Sequence, residues 1–353
     1  MAALRTATPY QSQSFCRAWL SLAGPLEPLI VIARDSKGMA TALLPLYVCA
    51  FGPWRFAAFQ GARMANYQMG LFSEPGAWSA ADAEALIKET LRSARLDAFM
   101  FSNQPASWRG AANPFAALGG APSPSFAYAT RLDGDFEIWQ RAHFSTQARK
   151  KRRAKTRKLE ALGPIRHRRA VDAEARRAVL AAFFAQKAAR MRSRSLPNEF
   201  DEPAQVGLLE ILAADVDSGF ELHMLEVGER IVAVFGGLLA EGRLSGVVFS
   251  HDIADDVAPM SPGELLISEI VRDCFSRNLA AFDLGVGEAR YKSECCEITE
   301  PLIDAAFGRT FIGRLAGGLF LAARAAKREV KHSPGLFDLA RVVQRGFVKL
   351  RFR

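Results

Sequence analysis

The densest group of reactive side chains is Asp283, Tyr291 and Lys292. Asp283 closes an apolar run, Gly285 and Gly287 follow in a flexible loop, and Tyr291 and Lys292 come at its end. Moving a group onto an amine needs a base to take the acceptor's proton and an acid to protonate the leaving group, and a phenol serves as that acid. Tyr291 is therefore the candidate acid. Lys292 is a candidate anchor for an anion, and Asp283 either orients Lys292 or acts as base through water. A surface turn holding an Asp–Lys ion pair would use the same residues without chemistry. His251, directly before Asp252 at the end of a strand pattern, is a further candidate base because imidazole titrates near neutrality. An ordinary turn residue is the alternative there.

Two other stretches suit anions. Ser261-Pro262-Gly263-Glu264-Leu265 reads as a helix start, with Ser261 as N-cap, Pro262 at the first helical position and Glu264 closing a capping box. From Arg149 to Lys158, eight of ten residues are Lys or Arg and fall on all faces of a helix. Such a helix is solvated or matched to something negative, and Arg149 and Arg152 are its candidate substrate contacts. No aromatic residue lies between Ser145 and Arg169, which argues against sequence-specific or single-strand nucleic-acid binding. The chain's formal charge is +9, but residues 141–169 hold twelve Lys or Arg against Glu160, so the remainder is slightly acidic. An anionic partner is expected at this segment rather than everywhere.

Several classes are excluded. There is no H-E-x-x-H, P-loop, G-x-S-x-G or metal-ligand cluster, so no metal is expected. The five cysteines, Cys16, Cys49, Cys274, Cys295 and Cys296, lack C-x-x-C spacing and suit a reducing cytoplasm. The first 24 residues have no continuous apolar core of a signal peptide. The longest apolar stretch, Leu315 to Ala323, is far short of the ~20 residues that span a bilayer.

The elements that must position these residues follow from period and punctuation. Strands are expected at 29–34, 39–50, 55–60, 68–72 and 97–101, with helices at 14–23 and 80–95. Residues 102–125 read as a long loop and lobe junction. Residues 136–162 read as one long helix stopped by Gly163 and Pro164. Helices at 173–192 and 203–214 precede a three-strand meander at 220–227, 230–240 and 244–250. A helix at 262–276, a strand at 280–284 and a last strand at 302–307 complete the second lobe. The fold class is α+β with mostly antiparallel sheets flanked by helices. Its expected divisions are 1–130, 131–330 and a basic C-terminal helix at 331–353, which either caps the second lobe or lies on an anionic membrane surface.

Three stretches together resemble the GNAT-like acyltransferases of the cellulose-biosynthesis (CelD/BcsL) type. They are the basic helix ending in Leu159-Glu160-Ala161-Leu162-Gly163, the run Ser261 to Leu266, and Phe282-Asp283-Leu284-Gly285-Val286-Gly287 followed by Tyr291-Lys292. Ala65-Asn66-Tyr67 is similar to the family's polar-Tyr step in the first lobe, which makes Asn66 and Tyr67 candidate substrate contacts. The resemblance implies two GNAT-like lobes and an acyl-CoA, such as acetyl-CoA, as co-substrate, bound where the helix beginning at Ser261 points its amino end. It also implies a small-molecule or saccharide acceptor, as in exopolysaccharide synthesis. The usual Arg/Gln-x-x-Gly-x-Gly/Ala phosphate loop is absent, and Glu264 places a negative charge near the expected phosphate. Fem-type transferases, which use aminoacyl-tRNA, are relatives with the same lobes. A non-catalytic binding protein built on the fold is the third alternative.

Overall fold

The computed structural model describes residues 7–24 and 26–333. In chain order its main elements are α1 (Gln13–Leu22), β1 (Glu27–Arg34), β2 (Ala40–Phe51), β3 (Trp54–Phe59), α2 (Ala80–Ser93), β4 (Ala98–Pro105) and β5 (Ala127–Arg131). There follow α3 (Phe136–His143), α4 (Thr146–Glu160), β6 (Ile165–Arg169), α5 (Ala173–Ser193), α6 (Pro203–Ala214), β7 (Phe220–Val227), β8 (Arg230–Ala240) and β9 (Arg243–His251). The chain ends its described part with α7 (Pro262–Ser276), β10 (Ala281–Val286), α8 (Arg290–Cys295), β11 (Ile298–Glu300), β12 (Leu302–Gly308) and α9 (Phe311–His332). No described helix is long and apolar enough to cross a membrane.

Contacts divide these elements into two compact units, one holding the residues up to Phe126 and those from Glu300, the other Ala127–Thr299. In the first, the sheet runs β1-β2-β3-β4-β12, with the short strand Ala121–Pro122 beyond β12 and Leu71–Phe72 paired to β2. In the second the order is β6-β7-β8-β9-β10-β5-β11. Both sheets share one device. An antiparallel hairpin is followed by a crossover helix and a parallel strand: β2-β3-α2-β4 in one, β8-β9-α7-β10 in the other. The chain thus has a mixed, GNAT-like architecture of sheets flanked by helices.

Local chemistry explains most elements. Ser79 and Asp82 close a capping box at α2, where Ala83, Ile87 and Leu91 recur at helical spacing and are buried. In the first unit, Phe59, Phe99, Phe101 and Phe115 are wholly buried, the other three rings each in contact with that of Phe101, and each burial contributes about 1.5–3 kcal/mol. In the second, Phe220, Leu222, Phe235 and Phe282 of the strands are buried, as are Phe183 of α5 and Leu266 and Ile270 of α7.

Four expectations are corrected. The single helix at 136–162 is two, because Phe144 adopts an extended conformation and the Ser145 side chain accepts the Ala148 N–H to start α4 afresh. Residues 127–130, expected within the first lobe though not as a strand, belong to β5, which pairs with β10 in the second sheet. β12, expected as the second lobe's last strand, pairs with β4 in the first sheet. The loop expected at 102–125 holds the short strands Ser107–Trp108, Ala111–Ala112 and Ala121–Pro122. The helix expected at 331–353 lies outside the described residues, apart from the end of α9.

Candidate active site

In the second unit the parallel ladder between β9 and β10 spans only Arg243↔Ala281 to Ser245↔Asp283, although β9 continues to His251 and β10 to Val286. Asp283 stands where that ladder ends and is completely buried. Its carboxylate accepts hydrogen bonds from Arg243 Nη2 at 2.9 Å, Ser245 Oγ at 3.1 Å and the Gly285 N–H at 2.6 Å. Gly285 has φ 72°, a left-handed turn suited to glycine. Lys292 is also buried, and its ammonium donates to the carbonyls of Gly285 (3.2 Å) and Val286 (3.1 Å). The surface-turn alternative is therefore overturned: Asp283 and Lys292 are interior groups that fix the strand end. Tyr291 and Lys292 lie on α8, where a loop was expected.

The Tyr291 ring packs 5.3 Å from that of Phe249 on β9. Burial raises the phenol above its ordinary value, with Cys295 adding and Arg190 opposing, so it keeps its proton. Among the described residues its hydroxyl has no hydrogen-bond partner. Phe249 in turn abuts the start of α7: a Cβ at Gly263 would meet its Cζ at 2.8 Å, so a larger residue there would displace the Phe249 ring.

His251 ends β9 with Nε2 2.6 Å from Arg190 Nη1 and Nδ1 3.0 Å from the Asp252 carbonyl. A guanidinium only donates, so Nε2 is the acceptor and Nδ1 carries the proton. Burial lowers the His251 pKa, and Arg190 and Arg194 lower it further against Asp252. The ring is neutral and its lone pair is engaged by Arg190.

The capping box expected at Ser261 does not form. Ser261 has φ 54° and ψ 58°, a left-handed conformation that turns its side chain away from the helix N–H groups. Its hydroxyl instead accepts from Lys155 Nζ at 2.6 Å, and the same ammonium is 3.8 Å from Glu264. Pro262 and Leu265 are buried.

Lys155 comes from α4, in which only some faces are solvated. Arg149, Arg152, Lys155, Thr156 and Leu159 form one half-buried to buried stripe, while Lys150, Lys151, Arg153, Arg157 and Lys158 are exposed. Arg152 lies 4.0 Å over the Phe144 ring. Among the described residues its guanidinium has no hydrogen-bond acceptor, and burial lowers its pKa against the pull of Glu264. Arg152 lines two openings. One, of about 760 Å³, brings Lys151, Arg152, Lys155, Arg190 and Arg290 around Tyr291, with Glu264 and Glu294 as its carboxylates. The other, of about 500 Å³, is lined by Arg149, Arg152, Arg153, Arg157 and Arg272 with Glu160 and Glu269. The Arg149 Nε is buried there without a partner.

Of the sequence candidates, Tyr291, Glu264 and Arg152 meet at the larger cavity, and Arg149 lies at the smaller one. Lys151, Lys155, Arg190 and Arg290 are cavity residues the sequence did not single out; Arg190 meets His251 across 61 positions, which no local pattern reports. Asn66 and Tyr67 belong to the first unit. Asn66 donates to the Tyr10 hydroxyl at 2.7 Å, and Tyr67 is wholly buried with its ring 4.8 Å from Trp108. Among the described residues no group of three His, Cys, Asp or Glu could hold a metal.

No functionally curated protein matches the chain in sequence. Solved structures resemble it over most of both chains: FemX has a TM-score of 0.65 at 9% identity, covering 91% of this chain and 96% of that one. The C-terminal domain (DUF2156) of a protein described as a lysylphosphatidylglycerol synthetase from Agrobacterium fabrum scores 0.53 at 11% identity, covering 91% and 93%. L-PGS from Bacillus licheniformis scores 0.51 at 13% identity, covering 87% and 97%. At such identities the likeness is one of fold. Residues 146–293, from the first residue of α4 into α8, match the family described as acetyltransferase (GNAT) domain.

Proposed function

We propose that the second unit transfers an acyl group, acetyl in the simplest case, from acyl-CoA to an amine or hydroxyl acceptor. The observation that carries the reading is the cavity in which five cations and only two carboxylates surround the Tyr291 phenol. A donor bearing phosphates matches that charge, and side chains of α4 would take the place of the missing glycine-rich phosphate loop. The acceptor's lone pair attacks the thioester carbon, the C–S bond breaks, and Tyr291 gives its proton to the sulfur. The acceptor's proton leaves to solvent, from which Tyr291 is recharged. Asp283 and Lys292 hold the strand end that orients α8. The sequence resemblance favours a saccharide acceptor of the exopolysaccharide kind.

A second reading rests on the exposed cations of α4, which suit a longer polyanion such as an aminoacyl-tRNA donor. Melting of the purified protein with acetyl-CoA, longer acyl-CoAs and free CoA tests both. The expected result is a saturable stabilisation, about 2.7 kcal/mol at a hundredfold excess over Kd. Tyr291→Phe keeps it while turnover falls by roughly a hundredfold or more, and Arg152→Gln weakens it. No shift with any thioester overturns the acyl-CoA reading, and salt-sensitive binding of aminoacyl-tRNA in its place supports the second.

A further inference from the structure

We infer that the smaller opening beside the Tyr291 cavity holds a second phosphate of the donor, the 3′-phosphate that coenzyme A carries on its ribose next to the 5′-pyrophosphate. The inference deepens the acyl-CoA reading and rests on it. Two helices build the opening, which measures about 500 Å³. On α4, Arg149, Arg152, Arg153 and Arg157 recur every three or four residues and so form one stripe of the helix. On α7, Leu265, Ser268 and Arg272 do the same, and the two stripes line the opening together.

Five guanidiniums face two carboxylates there. Neither carboxylate meets the group of Arg149, Arg152 and Arg153. Glu269 is engaged by Arg272 Nε at 3.5 Å, and Glu160 is exposed on α4 seven residues beyond Arg153, about 10 Å along the helix axis. Among the described residues Arg149, Arg152, Arg153 and Arg157 make no ion pair. Arg149 donates from Nη2 to Thr146 Oγ1 at 3.2 Å, while its Nε is buried without an acceptor, a costly state that an anion relieves. Two of the guanidiniums are held in plane by aromatic rings: Arg152 lies 4.0 Å over Phe144, and Arg272 4.1 Å over Phe136. Stacking of this kind covers the face of the guanidinium and leaves its N–H edge for paired bonds to an oxyanion.

Chemistry and position both select the 3′-phosphate. The Tyr291 cavity mixes Lys151 and Lys155 with its arginines, whereas every cation of the smaller opening is an arginine. The forked donors of arginine match a phosphate monoester, which presents three free oxygens and a charge near −2, better than the point charge of lysine does. Arg152 lines both openings, and Lys155, one turn along α4, joins that helix to the start of α7 through Ser261 and Glu264. A 3′-phosphate and a 5′-pyrophosphate sit on one ribose, so their two sites must adjoin, as these two do.

The test compares CoA with dephospho-CoA, which lacks only the 3′-phosphate, by isothermal titration calorimetry of the full chain at fixed ionic strength. CoA should bind at least about tenfold more tightly, the worth of one charge-assisted hydrogen bond. Arg153→Gln/Arg157→Gln, at two exposed positions, should remove most of that difference by weakening CoA while leaving dephospho-CoA within about twofold. Arg272→Gln should act in the same direction, and an unchanged melting temperature without ligand shows that each variant is folded. Equal binding of the two ligands to the native chain overturns the inference, leaves the acyl-CoA reading standing and assigns the arginines to an anion on another molecule. A difference that the variants preserve also overturns it, since the 3′-phosphate is then read elsewhere. So does an equal loss for both ligands, which marks the arginines as a general attraction for anions. Binding of neither ligand overturns the acyl-CoA reading and the inference with it, and salt-sensitive binding of aminoacyl-tRNA that the same variants weaken then gives the groove to an RNA backbone.

Discussion

Arg190 Nη1 donates to His251 Nε2 at 2.6 Å, and so occupies the lone pair that a catalytic imidazole would need. The His251 ring, neutral and held by the Asp252 carbonyl, positions Arg190 at the rim of the cavity that holds Tyr291. His251→Ala should free the guanidinium and raise KM for the donor by about tenfold, the worth of one charge-assisted hydrogen bond. The pH profile of kcat between about pH 6 and 8 should stay unchanged. Loss of an acidic limb in that profile would return His251 to the role of base.

A second histidine pair ties stability to pH. His167 Nε2 lies 3.1 Å from His223 Nδ1 with the rings stacked, and Glu221 takes both Arg277 and His223. Burial, then His223, pushes the His167 pKa down to about 4 from 6.5. A lowered imidazole pKa means that the unfolded chain binds the proton first as pH falls. The stability is therefore whole above about pH 6.5 and is lost progressively toward pH 4, by up to about 3 kcal/mol. Glu221, pushed down to about 2 by its hydrogen bonds against the opposing effect of burial, adds a separate loss below pH 4.5. Urea midpoints measured from pH 7 to 4 should fall for the native chain and fall less for His167→Gln. Parallel curves would show that the pair carries no linkage.

The sequence carries local structure well and partnership poorly. The β7-β8-β9 meander and α7 are found almost to the residue because period and turn chemistry are local properties. Ser145, which caps α4, was readable as an N-cap, but the surrounding basic run reads as continuous helix on either side of it. The exchange of β5 and β12 between the sheets is invisible, since a strand's pattern names a face and not a neighbour. Asp283 shows the same limit: its position at a strand end is plain, whereas Arg243, forty residues away, decides what the carboxylate does. α9 itself was not expected, and although Phe311, Leu315 and Leu319 recur at helical spacing, only the buried Gly313 and Gly317 opposite them show which side faces the sheet.

Those glycines permit a stability test with its control on the same helix. Gly313 lets α9 approach the first sheet so closely that an added Cβ would lie 1.9 Å from the Asp97 backbone oxygen. That oxygen accepts the Arg309 N–H at 2.8 Å and cannot retreat without losing it. Gly313→Ala must therefore lift the start of α9 or break that bond, and should cost about 3 kcal/mol or more, the upper range for an overpacked contact. Gly318, five residues on, has nothing within 4 Å of the same added atom. There the substitution meets only the backbone entropy of glycine in a helix, and Gly318→Ala should gain roughly 0.5–1 kcal/mol. Urea unfolding of both variants measures the pair. Opposite signs would establish Gly313 as the contact that seats α9, whereas equal and small effects would mean that the helix start does not hold this close approach in solution.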